Sequence, residues 1–290
     1  MRVLVTGATG YIGSAVAEAF GERGLDVVGL ARSDDAATAL EARGMGVARG
    51  DLHDAESVAG AAADADAFVH VASAAEDGAA ADQATTRAVL DALEGSGRPF
   101  LYTSGVWVLG NTGEAVADES WTVRPLARVA WRVDVEREVL AAAHRDVRTV
   151  VLRPAIVYGD GGGIPGGMVE EGRRTGRVRV VGDGWQEWPM VNRRALADLY
   201  VRCLDVPAGT LLHAASGPSY AARDVALAAA RAAGDDVEVE HWSLSEAREA
   251  LGSYADALAL SQRVSGRRAA ERTGWRPSGP SFLEDMLEGC

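Results

Sequence analysis

The chain has 290 residues, 48% of them hydrophobic, so it can bury a full core, and its length fits one large α/β domain or a domain with a small lobe. Its formal net charge of −13 repels nucleic acid and anionic membrane surfaces, which excludes both as expected partners. No apolar run is long enough for a membrane helix and no signal peptide is recognisable, so we expect a cytoplasmic protein. Cys203 and Cys290 lack metal-type spacing, and we predict no metal site.

The sequence contains no lysine, because all 29 of its basic residues are arginine. A guanidinium stays protonated in proteins, whereas a lysine amine can form Schiff bases or relay a proton. Mechanisms that need a lysine are therefore excluded.

The N-terminal half alternates short apolar runs with segments of helical apolar spacing. Strands are predicted at residues 2–6, 27–31, 47–48, 67–71, 100–103 and 149–152, and helices at 12–20, 36–43, 82–94 and 126–144. This alternation predicts an α/β fold, a Rossmann-type doubly wound parallel sheet with right-handed crossovers.

The regular alternation breaks after Pro154. Residues 159–188 are rich in Gly, Arg and Trp and are predicted to form an irregular lid. Further helices are predicted at 195–204, 222–233 and 244–251, and further strands at 210–214 and 237–241. We therefore assign residues 1–158 and 190–215 to the Rossmann domain, and 159–189 and 216–290 to a small, partly irregular C-terminal substrate lobe.

Three glycines with the spacing GxxGxxG lie between the first strand and the first helix. Gly7 permits a tight turn, Gly10 lets the backbone approach a pyrophosphate, and Gly13 lets the helix pack on the strand. A turn without a ligand is the alternative, but the strand-turn-helix context favours binding. The predicted dinucleotide-binding loop comprises Gly7, Thr9, Gly10, Tyr11, Ile12 and Gly13.

The spelling TGATGYIG at residues 6–13 resembles the extended short-chain dehydrogenase/reductase family, which includes nucleotide-sugar epimerases, dehydratases and ketoreductases. The resemblance runs along almost the whole chain, since residues 152–159 resemble the family's LRPxxVYG stretch and residues 273–277 its LGWxP tail. It implies further cofactor contacts, namely Asp51 and Leu52 at the adenine, Val71, Ala72 and Ser73 beside the ribose, and Pro154 and Ile156.

The end of the second strand indicates which cofactor is bound. NAD-binding members of the family carry an acidic residue there, and the matching position is Ala31. Arg32 and Ser33 follow, and a guanidinium with a hydroxyl favours the 2′-phosphate of NADP(H). The alternative is a solvated surface arginine. We predict NADP(H) as the cofactor.

The family's catalytic Ser, Tyr and Lys are all replaced. The resemblance places Gly105 at the Ser position, Arg128 at the Tyr position and Arg132 at the Lys position. Three interpretations remain open. In the first interpretation the chain is an atypical reductase, since hydride transfer itself needs only the nicotinamide and a polarised carbonyl. In the second it is a non-catalytic NADP-binding sensor. The third, a nucleotide-sugar epimerase or dehydratase, needs the missing Tyr and is placed last.

We favour the reductase because of its tryptophans. Trp107, Trp131, Trp185 and Trp188 are predicted to offer flat surfaces to a small-molecule aromatic ketone, although each also suits a packed core. The alanine-rich, lysine-free composition resembles that of antibiotic-producing actinobacteria, whose atypical short-chain reductases act on aromatic polyketides. Angucyclinone ketoreductases of the simocyclinone type are the group that we expect this chain to resemble.

The hypothetical mechanism takes the proton from the substrate. A phenol beside the ketone polarises the carbonyl and donates the proton, and Arg128 or Arg132 stabilises the resulting anion. Thr103 and Ser104, at a strand end, are the alternative hydroxyls that orient the ketone. We expect a monomer or a homodimer.

Overall fold

The structure is a computed structural model that describes residues 1–73 and 78–288, so Cys290 lies outside the described residues. The strands are β1 (Arg2–Thr6), β2 (Asp26–Ala31), β3 (Gly46–Arg49), β4 (Ala67–His70), β5 (Pro99–Thr103), β6 (Val116–Ala117), β7 (Arg148–Pro154), β8 (Ile156–Gly159), β9 (Arg177–Val181), β10 (Glu187–Trp188), β11 (Met190–Asn192), β12 (Thr210–Ala214), β13 (Tyr220–Ala221), β14 (Glu238–Trp242) and β15 (Arg263–Val264). The α-helices are α1 (Tyr11–Glu22), α2 (Asp34–Glu41), α3 (Ala55–Ala63), α4 (Gly78–Leu93), α5 (Trp131–Ala141), α6 (Gly163–Thr175), α7 (Arg193–Cys203), α8 (Ala222–Ala233), α9 (Leu244–Leu251), α10 (Tyr254–Leu258), α11 (Arg267–Thr273) and α12 (Phe282–Glu288).

A seven-stranded parallel sheet, in the order β12-β7-β5-β4-β1-β2-β3, forms the centre of the molecule. Successive side chains of a strand point to opposite faces, and along β1 Val3 and Val5 enter one core while Leu4 enters the other. Helices therefore cover both faces of the sheet, and α1 packs against α7 while α3 packs against α4. The predicted Rossmann-type fold is confirmed.

The prediction of an irregular lid at residues 159–188 is wrong, because this segment contains α6 and β9, and β9 pairs in parallel with β14. Glycines and Pro165 at the start of α6 conceal the helix in the sequence, since both residue types have low helix propensity. Pro165 lies in the first turn, where its missing N–H removes no helical hydrogen bond. Burial of Met168 and Val169 on the inner face of α6 stabilises the helix.

A third core forms where α6, α8 and α12 meet, and it includes Met168, Val225 and Phe282. We call these three helices, with the pair β9 and β14, the C-terminal lobe. None of the described helices is long and apolar enough to cross a membrane. Within the described ranges, no group of three or more His, Cys, Asp or Glu side chains is arranged to hold a metal ion.

Candidate functional site

The loop between β1 and α1 has no room for side chains at its glycines. Gly7 has a φ of 70°, and a Cβ there would lie 2.9 Å from the backbone nitrogen of Ala72. A Cβ at Gly13 would overlap the carbonyl oxygen of Gly7. The backbone N–H of Gly10 donates to that same oxygen at 2.8 Å. The glycines thus bring the start of α1 tightly against the end of β1.

The N-terminus of α1 lacks a side-chain cap. Gly10 is the N-cap residue, and among residues 1–73 and 78–288 no side chain accepts a hydrogen bond from the first-turn amides. Such amides, together with the helix dipole, favour an anionic ligand. The loop therefore fits the pyrophosphate of a dinucleotide, with the backbone of Gly10 to Gly13 as the binding surface.

Tyr11 joins the phosphate loop to the start of the C-terminal lobe. Its hydroxyl donates to the carbonyl oxygen of Gly159 at 2.7 Å, and its ring lies so close to Gly162 that a Cβ there would overlap it. Arg193 Nε donates to the backbone oxygen of Tyr11 at 2.6 Å. Burial raises the pKa of the Tyr11 phenol, so this hydroxyl stays protonated and remains a donor. These contacts fix the loop against β8 and α6.

Arg32 follows β2 directly, and its side chain is 74% exposed, with Nε 4.0 Å from Asp51 Oδ2. Ser33 Oγ accepts from the backbone N–H of Ala36 at 3.2 Å and so caps α2. The backbone N–H of His53 donates to Asp51 Oδ1, and this hydrogen bond is the main cause that lowers the pKa of Asp51. A guanidinium, a hydroxyl and a carboxylate therefore lie together at this edge of the sheet.

The turn after β4 lies beside the phosphate loop. Thr6 Oγ1 accepts from the backbone N–H groups of Val71 and Ala72, each at 3.2 Å. The remaining residues predicted to contact the cofactor lie on the phosphate loop, on the sheet or in a cavity beside the loop. Thr9 is exposed on the loop, Leu52 packs partly buried against the sheet, and Ser73, Pro154 and Ile156 line a cavity beside the loop.

This cavity has a volume of about 780 Å³ and lies at the carboxyl ends of β5 and β7. That position is where open α/β sheets bind ligands, and the volume suits a multi-ring organic molecule. The phosphate loop, the end of β5 and the start of α5 all contribute to its wall, through Tyr11, Ile12, Ser104, Trp107, Arg128 and Trp131.

Ser104 contributes a buried hydroxyl to the wall of the cavity. Its Oγ is buried and has no hydrogen-bond partner among the described residues, although its backbone N–H donates to Leu152 O at 2.7 Å. Gly105, next to it, brings no side chain. Buried polar atoms are normally hydrogen-bonded, and an orphan hydroxyl on a cavity wall is satisfied when a ligand supplies the partner.

Thr103, by contrast, already has a partner. Its Oγ1 lies 2.6 Å from the hydroxyl of Tyr200, a fully buried residue of α7 that the sequence analysis did not identify. Burial raises the pKa of Tyr200, so this pair shares neutral hydroxyls. Thr103 is therefore less free than Ser104 to orient a substrate.

The two arginines at the family's Tyr and Lys positions are held differently. The predicted helix at 126–144 has a 3₁₀ turn at each end, with Arg128 in the first turn and Arg132 within α5. Arg132 Nη1 donates to Thr103 O at 2.9 Å, and its guanidinium carbon lies 4.5 Å from the centre of the Trp131 ring. Arg128 contacts Ser253 Oγ at 3.4 Å. Among the described residues neither guanidinium has a carboxylate within ion-pair distance.

Two of the four tryptophans do not lie where we expected them. Trp107 and Trp131 line the cavity. Trp188 is buried in the core of the C-terminal lobe, where its indole N–H donates to Leu258 O at 3.2 Å. Trp185 is 59% exposed and lies against the guanidinium of Arg223. The prediction that Trp185 and Trp188 offer flat surfaces to the substrate is wrong, because neither lines the cavity: β10 directs Trp188 into the lobe and leaves Trp185 at the surface.

Comparison with known proteins gives a consistent assignment. Residues 3–211 match the NAD dependent epimerase/dehydratase family. An uncharacterized protein of Schizosaccharomyces pombe is 30% identical, over 99% of this chain and 98% of its own length. The 2-alkyl-3-oxoalkanoate reductase of Stenotrophomonas maltophilia is 33% identical, over 63% of this chain and 59% of its own. The crystal structure of Thermus thermophilus UDP-glucose 4-epimerase with NAD superposes with a TM-score of 0.82 and 25% identity, over 99% of this chain and 96% of that one. The chain therefore belongs to the NAD dependent epimerase/dehydratase family.

Proposed function

We propose that this chain is an NADPH-dependent ketoreductase that acts on a polycyclic aromatic, polyketide-type ketone. The observation that carries the proposal is the buried Ser104 hydroxyl, which lacks a partner among the described residues and lines the same cavity as Tyr11 and Ile12 of the phosphate loop. A ketone oxygen at Ser104 would satisfy this hydroxyl. It would also hold the carbonyl carbon beside a dinucleotide bound at the loop, as hydride transfer requires.

The residues after β2 support NADP(H) over NAD(H). Ala31 offers no carboxylate to a ribose, and the exposed Arg32, whose Nε lies 4.0 Å from Asp51 Oδ2, offers its guanidinium to a phosphate at the same edge. Ser33 Oγ accepts the amide of Ala36, which leaves its O–H to donate to a phosphate oxygen. A similar fold in the Thermus thermophilus epimerase is found in complex with NAD, which supports a pyridine nucleotide in general.

The bound nicotinamide would supply the hydride, and the protein would supply orientation and charge. Ser104 Oγ donates to the ketone oxygen, while Trp107 and Trp131 pack against the flat rings of the substrate. Arg132 is already bound to Thr103 O, so Arg128 is the cation better placed to stabilise a developing negative charge.

The proton would come from a phenol of the substrate itself, because α5 carries no Tyr and Lys pair. Hydride adds to the carbonyl carbon, the carbonyl π electrons move to oxygen, and that oxygen takes the phenolic proton. The phenol becomes a phenolate, which pairs with the guanidinium of Arg128. Burying such an anion without a cation would be costly.

The relatives support a reductase, since the Stenotrophomonas maltophilia protein is named as the reductase of a 3-oxo compound. The same replacements at Gly105, Arg128 and Arg132 also favour a second function, that of an NADP-binding sensor without turnover. In that case the cavity would bind an aromatic effector.

One experiment separates these functions. The purified chain is incubated with NADPH and a panel of polycyclic phenolic ketones, and the absorbance of NADPH is followed together with product mass. We expect NADPH consumption with at least one ketone and formation of the corresponding alcohol. Tight NADPH binding with no ketone reduced would favour the sensor. In a parallel incubation with nucleotide sugars, their conversion without net NADPH consumption would favour an epimerase.

A matched pair of variants then tests the role of Arg128. Arg128→Gln should lower kcat/KM by about tenfold or more, the value of a charge-assisted hydrogen bond. Arg276→Gln is the control, because Arg276 is exposed and does not line the cavity. Equal effects of the two substitutions would show that Arg128 does not contact the substrate.

A further inference from the structure

A chain of polar side chains runs behind the cavity from the phosphate loop to α5. Thr6 Oγ1 lies 2.8 Å from His70 Nδ1, and His70 Nε2 lies 3.3 Å from Asp82 Oδ2. The hydroxyl of Tyr102 donates to Asp82 Oδ1 at 2.8 Å, and Arg132 Nη1 donates to that hydroxyl at 3.4 Å. Thr6, His70, Asp82 and Tyr102 are each at most 2% exposed.

Only the last member of this chain reaches the cavity. Arg132 lines its wall, whereas the other four residues lie on β1, β4, α4 and β5 and do not. They therefore do not touch a substrate. Their burial and their separate origins in the sequence show that the fold brings them together at one place beneath the site.

The positions of the hydrogens follow from the acceptors. Thr6 Oγ1 accepts two amides, from Val71 and Ala72, so its own hydrogen points to His70 Nδ1. Nδ1 is then an acceptor, and Nε2 lies on the side of the ring that faces Asp82. The carboxyl group of Asp82 accepts a hydrogen bond from the Tyr102 hydroxyl and lies 3.3 Å from His70 Nε2.

Asp82 is therefore a buried carboxyl group that needs hydrogen-bonding partners. A buried carboxylate is stable only when it is hydrogen-bonded and near a cation. Within the described residues Tyr102 connects Asp82 to the guanidinium of Arg132, which has no carboxylate within ion-pair distance of its own. Because Asp82 orients the Tyr102 hydroxyl that accepts from Arg132, it favours one position of the guanidinium.

We propose that His70, Asp82 and Tyr102 are positioning residues that fix Arg132 at the cavity. The two N–H groups of Nη1 are directed to Thr103 O and to the Tyr102 hydroxyl. The remaining N–H groups of this guanidinium are left for a ligand. Arg132 is thus a rigid donor, whereas Arg128 donates to the Ser253 hydroxyl at 3.4 Å and lies 5.6 Å from the centre of the Tyr254 ring. A test of this inference by ketone reduction rests on the proposed ketoreductase function, whereas a test by tryptophan fluorescence does not.

The spectroscopic test uses Trp131 as a reporter, because the guanidinium of Arg132 lies over its ring. Tyr102→Phe removes the hydroxyl that links Arg132 to Asp82. We expect this substitution to change the tryptophan emission of the free protein, and the change should vanish when it is made in a Trp131→Phe background. The control is Tyr158→Phe, since Tyr158 is also buried and donates to Pro280 O. Unchanged emission in a folded Tyr102→Phe protein would overturn the proposal.

A double-mutant cycle on ketone reduction gives the second test. Asp82→Asn and Arg132→Gln should each lower kcat by about tenfold, and the double variant should fall no further than the worse single variant. NADPH affinity should change far less than kcat, which a general loss of folding would not produce. Additive losses would overturn the inference. If no ketone is reduced by the unmodified chain, the proposed function fails and the emission test still decides this one.

Discussion

Arg153 on β7 and Glu136 on α5 form a buried ion pair, with Arg153 Nε 2.9 Å from Glu136 Oε1 and side-chain exposures of 5% and 3%. Removing one partner leaves an uncompensated charge in the core, so Glu136→Gln should lower the free energy of unfolding by about 3–5 kcal/mol. Urea denaturation measures this loss. Asp134 on the same helix pairs with Arg137 at the surface, and Asp134→Asn should cost under about 1 kcal/mol. Similar losses for both variants would contradict the prediction.

His213 makes the stability depend on pH. Burial, and then the charge of Arg153, lowers the pKa of His213 from 6.5 to about 3. Between these two values the unfolded chain binds a proton that the folded chain does not, so stability is lost as the pH falls through this window. The slope for this one group is at most about 1.4 kcal/mol per pH unit. His213→Gln should flatten the pH dependence of urea denaturation there, and an unchanged slope would exclude His213 as its cause.

Cofactor preference should depend on Arg32. We expect NADPH to bind at least tenfold more tightly than NADH, a difference of about 1.4 kcal/mol, and Arg32→Ala to remove most of that preference. Fluorescence titration with both nucleotides measures it. Arg43→Ala is the matched control, because Arg43 is a partly exposed arginine whose guanidinium faces Glu18. Equal affinity of the unmodified chain for both nucleotides would refute the assignment to NADP(H).

The source of the proton can be tested on the substrate and on the protein. Substituting Ser104 or Thr103 by Ala should lower turnover only modestly, because a lost orienting hydrogen bond is worth about 0.5–1.5 kcal/mol. Methylating the phenol beside the ketone should abolish reduction and leave binding intact. A positioned protein acid contributes on the order of a hundredfold or more. An inactive Ser104→Ala variant, together with normal reduction of the methyl ether, would make Ser104 the donor or its relay.

The elements that the sequence predicts well are those with local signals. The strand at Thr210–Ala214 and the helices at Ala222–Ala233 and Leu244–Leu251 have the predicted bounds, because their apolar period is unambiguous. Helix α6 was missed because packing against α8 overrides the low propensity of its glycines and of Pro165.

The site was only partly predictable for a related reason. The phosphate loop consists of consecutive residues, so the spacing of its glycines in the sequence predicts its backbone geometry. The link between Tyr102 and Asp82 spans 20 positions and that between Thr103 and Tyr200 spans 97. In the sequence these residues look like ordinary core positions, and only the fold shows which polar atoms meet. Trp188 shows the opposite error. Its flat aromatic side chain suggested a substrate pocket, but the pairing of its strand with β13 places it in the core of the C-terminal lobe.

The hydrogen bond from Tyr11 to Gly159 has a consequence for the order of events in a ketoreductase built this way. Tyr11 belongs to the loop that receives the nucleotide and is also part of the wall against which a ketone would lie. A ketone already in place would obstruct the approach of the nicotinamide end to that wall. For such a ketoreductase we therefore expect an ordered binding sequence, with the nucleotide entering first, the alcohol departing next and the oxidised nucleotide leaving last.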